Sequence, residues 1–196
     1  SISAALSTID KRLYLNADIR EAGIGYTNVD GYVGIGEKQL DLNVSGRNTT
    51  LEFLRRYLPD VFEDLTGRTT GHCRIFGPFK ELDFEGREQA NVYAGIAPTG
   101  CKYHLADGTV NITPGLFSFE NYTISDANNG TGELKGTLRH SNLKDLKYDF
   151  TVRARSLSMY DKQRSVDLPF YATAYGTGTA RLHGYPGHFN ADINMR

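Results

Sequence analysis

The chain has 196 residues, with 22 Lys and Arg against 23 Asp and Glu and a formal net charge of −1. That length admits one large β domain or two small ones around a sizeable core, and the charge balance lacks the basic field that would neutralise a phosphate backbone, so no nucleic acid is expected as a partner. No apolar run approaches the roughly 18 residues that cross a bilayer as a helix, Ser1 opens the chain with neither Met nor a basic signal region, and two cysteines are too few for a disulfide-built scaffold; the chain reads as an excised, soluble piece.

Period-2 alternation begins at once. Leu13, Leu15, Ala17 and Ile19 alternate with Tyr14, Asn16, Asp18 and Arg20, then Leu40, Leu42 and Val44 with Asp41, Asn43 and Ser45. Successive side chains of a strand point to opposite faces, so each segment has one dry face. The pattern breaks in "NTTLEFLRRYLPDVFEDLTG". There Thr49 followed by Glu52 forms a capping box, and Leu51, Leu54 and Leu58 share a helical stripe. A short amphipathic helix is expected from Thr50 to Leu58, with Thr49 as its N-cap, Pro59 as its end and a second turn over Val61 to Leu65.

Alternation then resumes. Leu82 and Phe84 alternate with Asp83 and Glu85, Val110 and Ile112 with Asn111 and Thr113, and Tyr148, Phe150, Val152 and Ala154 with Asp149, Thr151, Arg153 and Arg155. Ala180 and Leu182, then Phe189, Ala191 and Ile193, close the series. Asp107-Gly108 and Asn129-Gly130 are type I′ hairpin candidates, and Pro78, Pro114-Gly115 and Pro186-Gly187 mark further turns. The spacing predicts on the order of fourteen short antiparallel strands. Two stretches share one rhythm, "GRTTGHCRIFGPFKELDFEG" from Gly67 and "GTGTARLHGYPGHFNADI" from Gly176, with Gly71 and Gly77 standing as Gly178 and Gly184 do. Such glycines read either as ordinary turn and corner residues or as devices that curve a sheet.

No catalytic constellation emerges. His72-Cys73 and Cys101 to His104 hold zinc-type ligands, but each pair is opposed in strand parity, so no metal is expected and two free thiols are the leading reading over a disulfide. Asp83 and Glu85 share a face as a glycosidase pair would, yet it is the wet face. Gly23-Ile24-Gly25 and Gly34-Ile35-Gly36 lack the spacing and the Lys of a phosphate loop, and no serine sits in a G-x-S-x-G elbow. The sequons at Asn48 and Asn121 matter only in a eukaryotic secretory setting. No enzyme activity and no cofactor are expected.

The segments "FLRRYLPDVFEDLTGRTTGHCRIFGPFKELDFEG", "YHLADGTVNITPGLFSFENYTISDANNGTGELKGTLRH" and "PFYATAYGTGTARLHG" together resemble, in that order, the C-terminal region of TamB-like proteins, the translocation and assembly module family also known as DUF490, in versions from Bacteroides-type bacteria. The resemblance covers roughly Leu51 to Arg196. One departure is Ala172 after Tyr171, where the family often has glycine. The resemblance implies an elongated, curved antiparallel sheet with an apolar inner face, a β-taco groove. It further implies a periplasmic segment of an inner-membrane-anchored protein that shelters or conducts phospholipid acyl chains and supports outer-membrane protein assembly with an Omp85-type partner. Membrane contact would then come only through other parts of the longer chain.

The expected architecture is all-β: N-terminal strands over 1–48, a helical segment over 49–66 and a groove over 67–196, in one continuous fold. Periodicity alone favours a β-sandwich slightly, and the resemblance decides for the groove. The residues expected to line the groove are Leu42, Leu82, Phe84, Val110, Ile112, Leu138, Tyr148, Phe150, Val152, Leu182, Phe189 and Ile193. An alternative function is a chaperone-like scaffold that binds outer-membrane β-proteins by strand addition.

Overall fold

The computed structural model describes residues 2–7, 10–21, 25–52, 62–96, 99–142, 144–162, 172–185 and 187–196. Twelve strands account for nearly all of them: β1 (Ile2–Ser7), β2 (Arg12–Glu21), β3 (Gly25–Gly34), β4 (Gln39–Thr50), β5 (Phe62–Pro78), β6 (Asp83–Ile96), β7 (Lys102–Thr113), β8 (Leu116–Ser125), β9 (Thr131–Ser141), β10 (Lys144–Lys162), β11 (Ala172–Tyr185) and β12 (His188–Met195). They form one antiparallel sheet in chain order, open at β1 and β12. The chain is all-β, and its single sheet replaces the two facing sheets of the sandwich alternative.

The register explains why alternation dominates the sequence. One transverse row of paired positions runs Ile2, Ala17, Val29, Val44, Cys73, Gly86, Ile112, Phe117, Leu138, Tyr148, Gly184 and Phe189, from β1 to β12 without a polar aliphatic or charged residue. The adjacent row runs Asn16 to Asp30 to Asn43 to Arg74 to Glu85 across β2 to β6. A slip of one residue in any strand would swap these sets, so the pattern pins the register.

Three expectations are corrected. Thr49 is not an N-cap: it lies in β4, paired with Thr69, and the ladder to β5 outweighs the local capping signal. Residues 53–61 of the expected helix fall outside the described residues, while Phe62 to Leu65, the expected second turn, belong to β5. Asp107-Gly108 is not a hairpin but a bulge inside β7, where Asp107 adopts φ 60° and the pairing to β6 shifts between Gly108 and Leu105. The strands are also fewer and longer than expected. By contrast Asn129-Gly130 lies in the β8–β9 turn, and Pro114-Gly115 forms the two-residue β7–β8 turn, where proline presets φ and Gly115 supplies φ 71°.

The bulges bend the sheet. Asn48 in β4, Asp107 in β7, Asn121 in β8 and Ser156 in β10 all take left-handed φ values, 56°, 60°, 57° and 50°, and register shifts occur beside each. Short polar side chains tolerate that region best, and each extra residue adds local twist and bend. The result is a curl over the apolar face. Strands β7 and β10 are three spacings apart in the ladder, about 14 Å if flat, yet Asp161 N donates to Thr99 O at 2.9 Å and Tyr103 OH donates to Ser158 O. At the opposite strand ends Phe84 of β6 meets His140 of β9 edge-on at 5.9 Å between ring centroids.

Packing is uneven along this curl. Where the end of β10 folds back, Leu157 (1% exposed) packs with Ile124, Val152 and Ala154 in the core cluster, joined by Tyr103, Leu105, Leu134 and Met195. Asp126 fastens the fold-back: Oδ2 accepts Ser158 N at 2.7 Å, and Oδ1 accepts Asn128 N and Gly130 N, both at 2.8 Å. The rest of the apolar face stays mostly half-buried.

Candidate apolar trough

The expected lining residues share this apolar face by register. Leu42 faces Ile75 across β4 and β5, and Ile75 faces Phe84. Val110 faces Phe119, which faces Gly136, Phe150, Leu182 and Ala191 in turn. Leu82 is the exception, lying in the turn just before β6. Ile112 and Val152 are buried, Ile193 on the edge strand is exposed, Phe189 is placed by its pairing with Gly184, and the other strand positions are half-buried. Two sheets packed face to face would bury such residues outright.

Aromatic rings pave the floor of the trough. Phe119 and Phe150 meet at 5.3 Å, 64° between planes, above Gly136 of the intervening strand; a methyl at Gly136 would come 2.4 Å from Phe150 Cδ1. The ring of Tyr122 lies in the same way over Gly108. Glycine here is a matter of space: the strand must offer bare backbone for a ring to lie flat. At Gly184 the requirement is conformational as well, with φ 152° and a would-be Cβ 2.1 Å from His188 O.

The other face is polar and ion-paired. Arg181 grips Asp149 with two hydrogen bonds of 2.9 and 2.7 Å, and Arg74 grips Asp41 with bonds of 2.8 and 2.7 Å, each guanidinium holding its carboxyl below the ordinary range. Asp83 Oδ1 accepts Gly115 N at 3.0 Å, and Glu85 lies 4.0 Å from Arg74. The two carboxylates are thus occupied by structural partners. His72 and Cys73 fall on opposite faces, both cysteines are free thiols, and His104 stacks on Tyr93 at 4.3 Å. Among the described residues no three His, Cys, Asp or Glu side chains gather as a metal site. Burial pushes the Cys73 thiol up to about 11, with the Glu88 charge adding to the effect.

Glu88 itself is what sequence reasoning passed over. In "REQANVYAG" it follows Arg87 and precedes Gln89, so the run reads as a solvated stretch. The register pairs it with Val110 and Gly71 on the apolar face. The available signal was parity, because Phe84, Ala90, Val92 and Ala94 stand at even separations from it on β6.

No family model, curated protein or solved structure matches the chain.

Proposed function

We propose that the apolar face shelters or conducts phospholipid acyl chains, in a periplasmic segment of a TamB-like, inner-membrane-anchored protein that supports outer-membrane protein assembly with an Omp85-type partner. One observation carries the reading: a continuous apolar face across twelve strands is curled upon itself yet left largely half-buried, with no second sheet to cover it among the described residues. Acyl tails ask for apolar area, at about 25 cal/mol per Å², and for no hydrogen-bond code. No catalytic group is needed for that task.

Native mass spectrometry of protein purified from a bacterial host tests it, with co-purifying phospholipid as the expected result. Phe150→Arg, in the apolar row, should abolish the bound lipid while the chain stays folded, because an unpaired charge there costs several kcal/mol against apolar cargo. Thr151→Arg, on the polar face, should leave it unchanged. Equal lipid content in both variants would refute the reading.

The open edges favour a second reading, in which β1 or β12 takes up a strand from an unfolded outer-membrane protein. Hydrogen exchange separates the two: strand addition should protect edge amides when such a protein is added, and lipid uptake should not.

A further inference from the structure

Away from the strand ends, Glu88 is the one carboxylate on the apolar face among the described residues. It is half-buried, and no cationic side chain lies within ion-pair distance of it among those residues. Its neighbours are hydroxyls. Thr69 Oγ1 lies 2.6 Å from Glu88 Oε2 and 3.2 Å from Gln89 O, and its single proton serves one of them at a time. Thr69 pairs with Thr49, whose Oγ1 lies 2.9 Å from Thr27 Oγ1. The carboxylate, itself on β6, thus ends a short polar strip across β3, β4 and β5.

Two glycines make room for this strip. A methyl at Gly71 would lie 2.8 Å from Glu88 Oε2, and one at Gly46 would lie 2.5 Å from Thr49 Oγ1. Val110 and Gly108 of β7 and the ring of Tyr122 flank the strip on its other side. A carboxylate without an ion-pair partner on a face of this kind is expensive to keep charged, and burial pushes its pKa up, with the Thr69 hydroxyl and then the charge of His72, beyond ion-pair distance, opposing. It serves the fold little. The polar faces of β5 and β6 would hold a glutamate at no such cost.

We propose that Glu88, with Thr27, Thr49 and Thr69, is a recognition point for the cationic amine of an amphiphile whose apolar part lies along the trough. The inference rests on the acyl-shelter reading above and adds a headgroup preference to it. An ammonium group supplies the missing counter-charge to Glu88, and the threonine hydroxyls offer neutral acceptors around it. An anionic head would meet Glu88 with like charge.

The test uses the 196-residue chain with an equimolar mixture of phosphatidylethanolamine and phosphatidylglycerol carrying identical acyl chains, read by native mass spectrometry. The wild type should prefer the amine lipid about tenfold, the worth of one charge-assisted contact. Glu88→Gln keeps shape and removes charge; it should erase the preference and leave total lipid occupancy unchanged. Occupancy without preference in the wild type, or a preference that survives Glu88→Gln, overturns the headgroup site and leaves the shelter intact. No occupancy by either lipid overturns both.

Discussion

Replacing Asp126 with alanine tests whether the end of β10 is tied down as described. Three backbone amides converge on this carboxylate, two from its own turn and one from Ser158 across the fold-back. Hydrogen bonds to a charged group contribute about 1.5 to 3 kcal/mol each when well buried; the Asn128 contact is exposed and sits well below that range, while those of Gly130 and Ser158 are part-buried and sit near its low end. Ser158 is buried, at 4% exposure, so loss of its partner leaves an amide unmatched. A total near 3 kcal/mol follows. Urea unfolding at pH 7 should register it, and hydrogen exchange at the Ser158 amide should accelerate on the order of a hundredfold. Burial alone would raise the Asp126 pKa, but the amides of Ser158, Gly130 and Asn128 prevail and hold it below 3.8. A carboxyl whose folded pKa is depressed stabilises the fold above its unfolded pKa and loses that contribution as pH falls through the folded value. The gap between wild type and variant should therefore be full at pH 7 and shrink below about pH 4. Unfolding within about 0.5 kcal/mol of wild type, together with unchanged exchange at Ser158, would show that the fold-back stands without this tie.

Leu157→Ala should cost about 3 kcal/mol, since the side chain is fully enclosed by Ile124, Val152 and Ala154; denaturant unfolding measures it, and a loss under 1 kcal/mol would mean the pocket is not packed. Gly184→Ala should destabilise more than its one added methyl warrants, because both φ and space are wrong for it, and a neutral result would contradict the described backbone. Alkylation of Cys73 at pH 8, followed by mass spectrometry, should run roughly two orders of magnitude slower than in the unfolded chain, as its thiol is pushed up to about 11 by burial. Glu88→Gln should recover part of that rate, and labelling as fast as in denaturant would place Cys73 elsewhere.

Alternation made the two faces legible, since Leu42, Val110, Phe150 and Leu182 follow from parity alone. The bends were not legible. Asp107-Gly108 carries the residues of a hairpin turn, and whether its flanks pair with each other or with β6 and β8 depends on partners far along the chain. Thr49 met the same limit: its capping-box spacing is a local signal, and its partner Thr69 is not local. Glu88 was hidden by its charged and polar neighbours, which set the apparent character of the run although they face the other way. The strip it forms with Thr27, Thr49 and Thr69 draws on four strands and has no linear signature.

The strand order has a consequence for size. In the sheet ladder every strand pairs only with its neighbours in the chain, so the sheet grows in one dimension, as stacked-repeat proteins do. A hairpin added or removed anywhere but beneath the β10 fold-back would alter the reach of the trough and disturb only the two strands beside it. Length in this architecture is a free parameter, and gene segments coding for one hairpin are its natural unit of change.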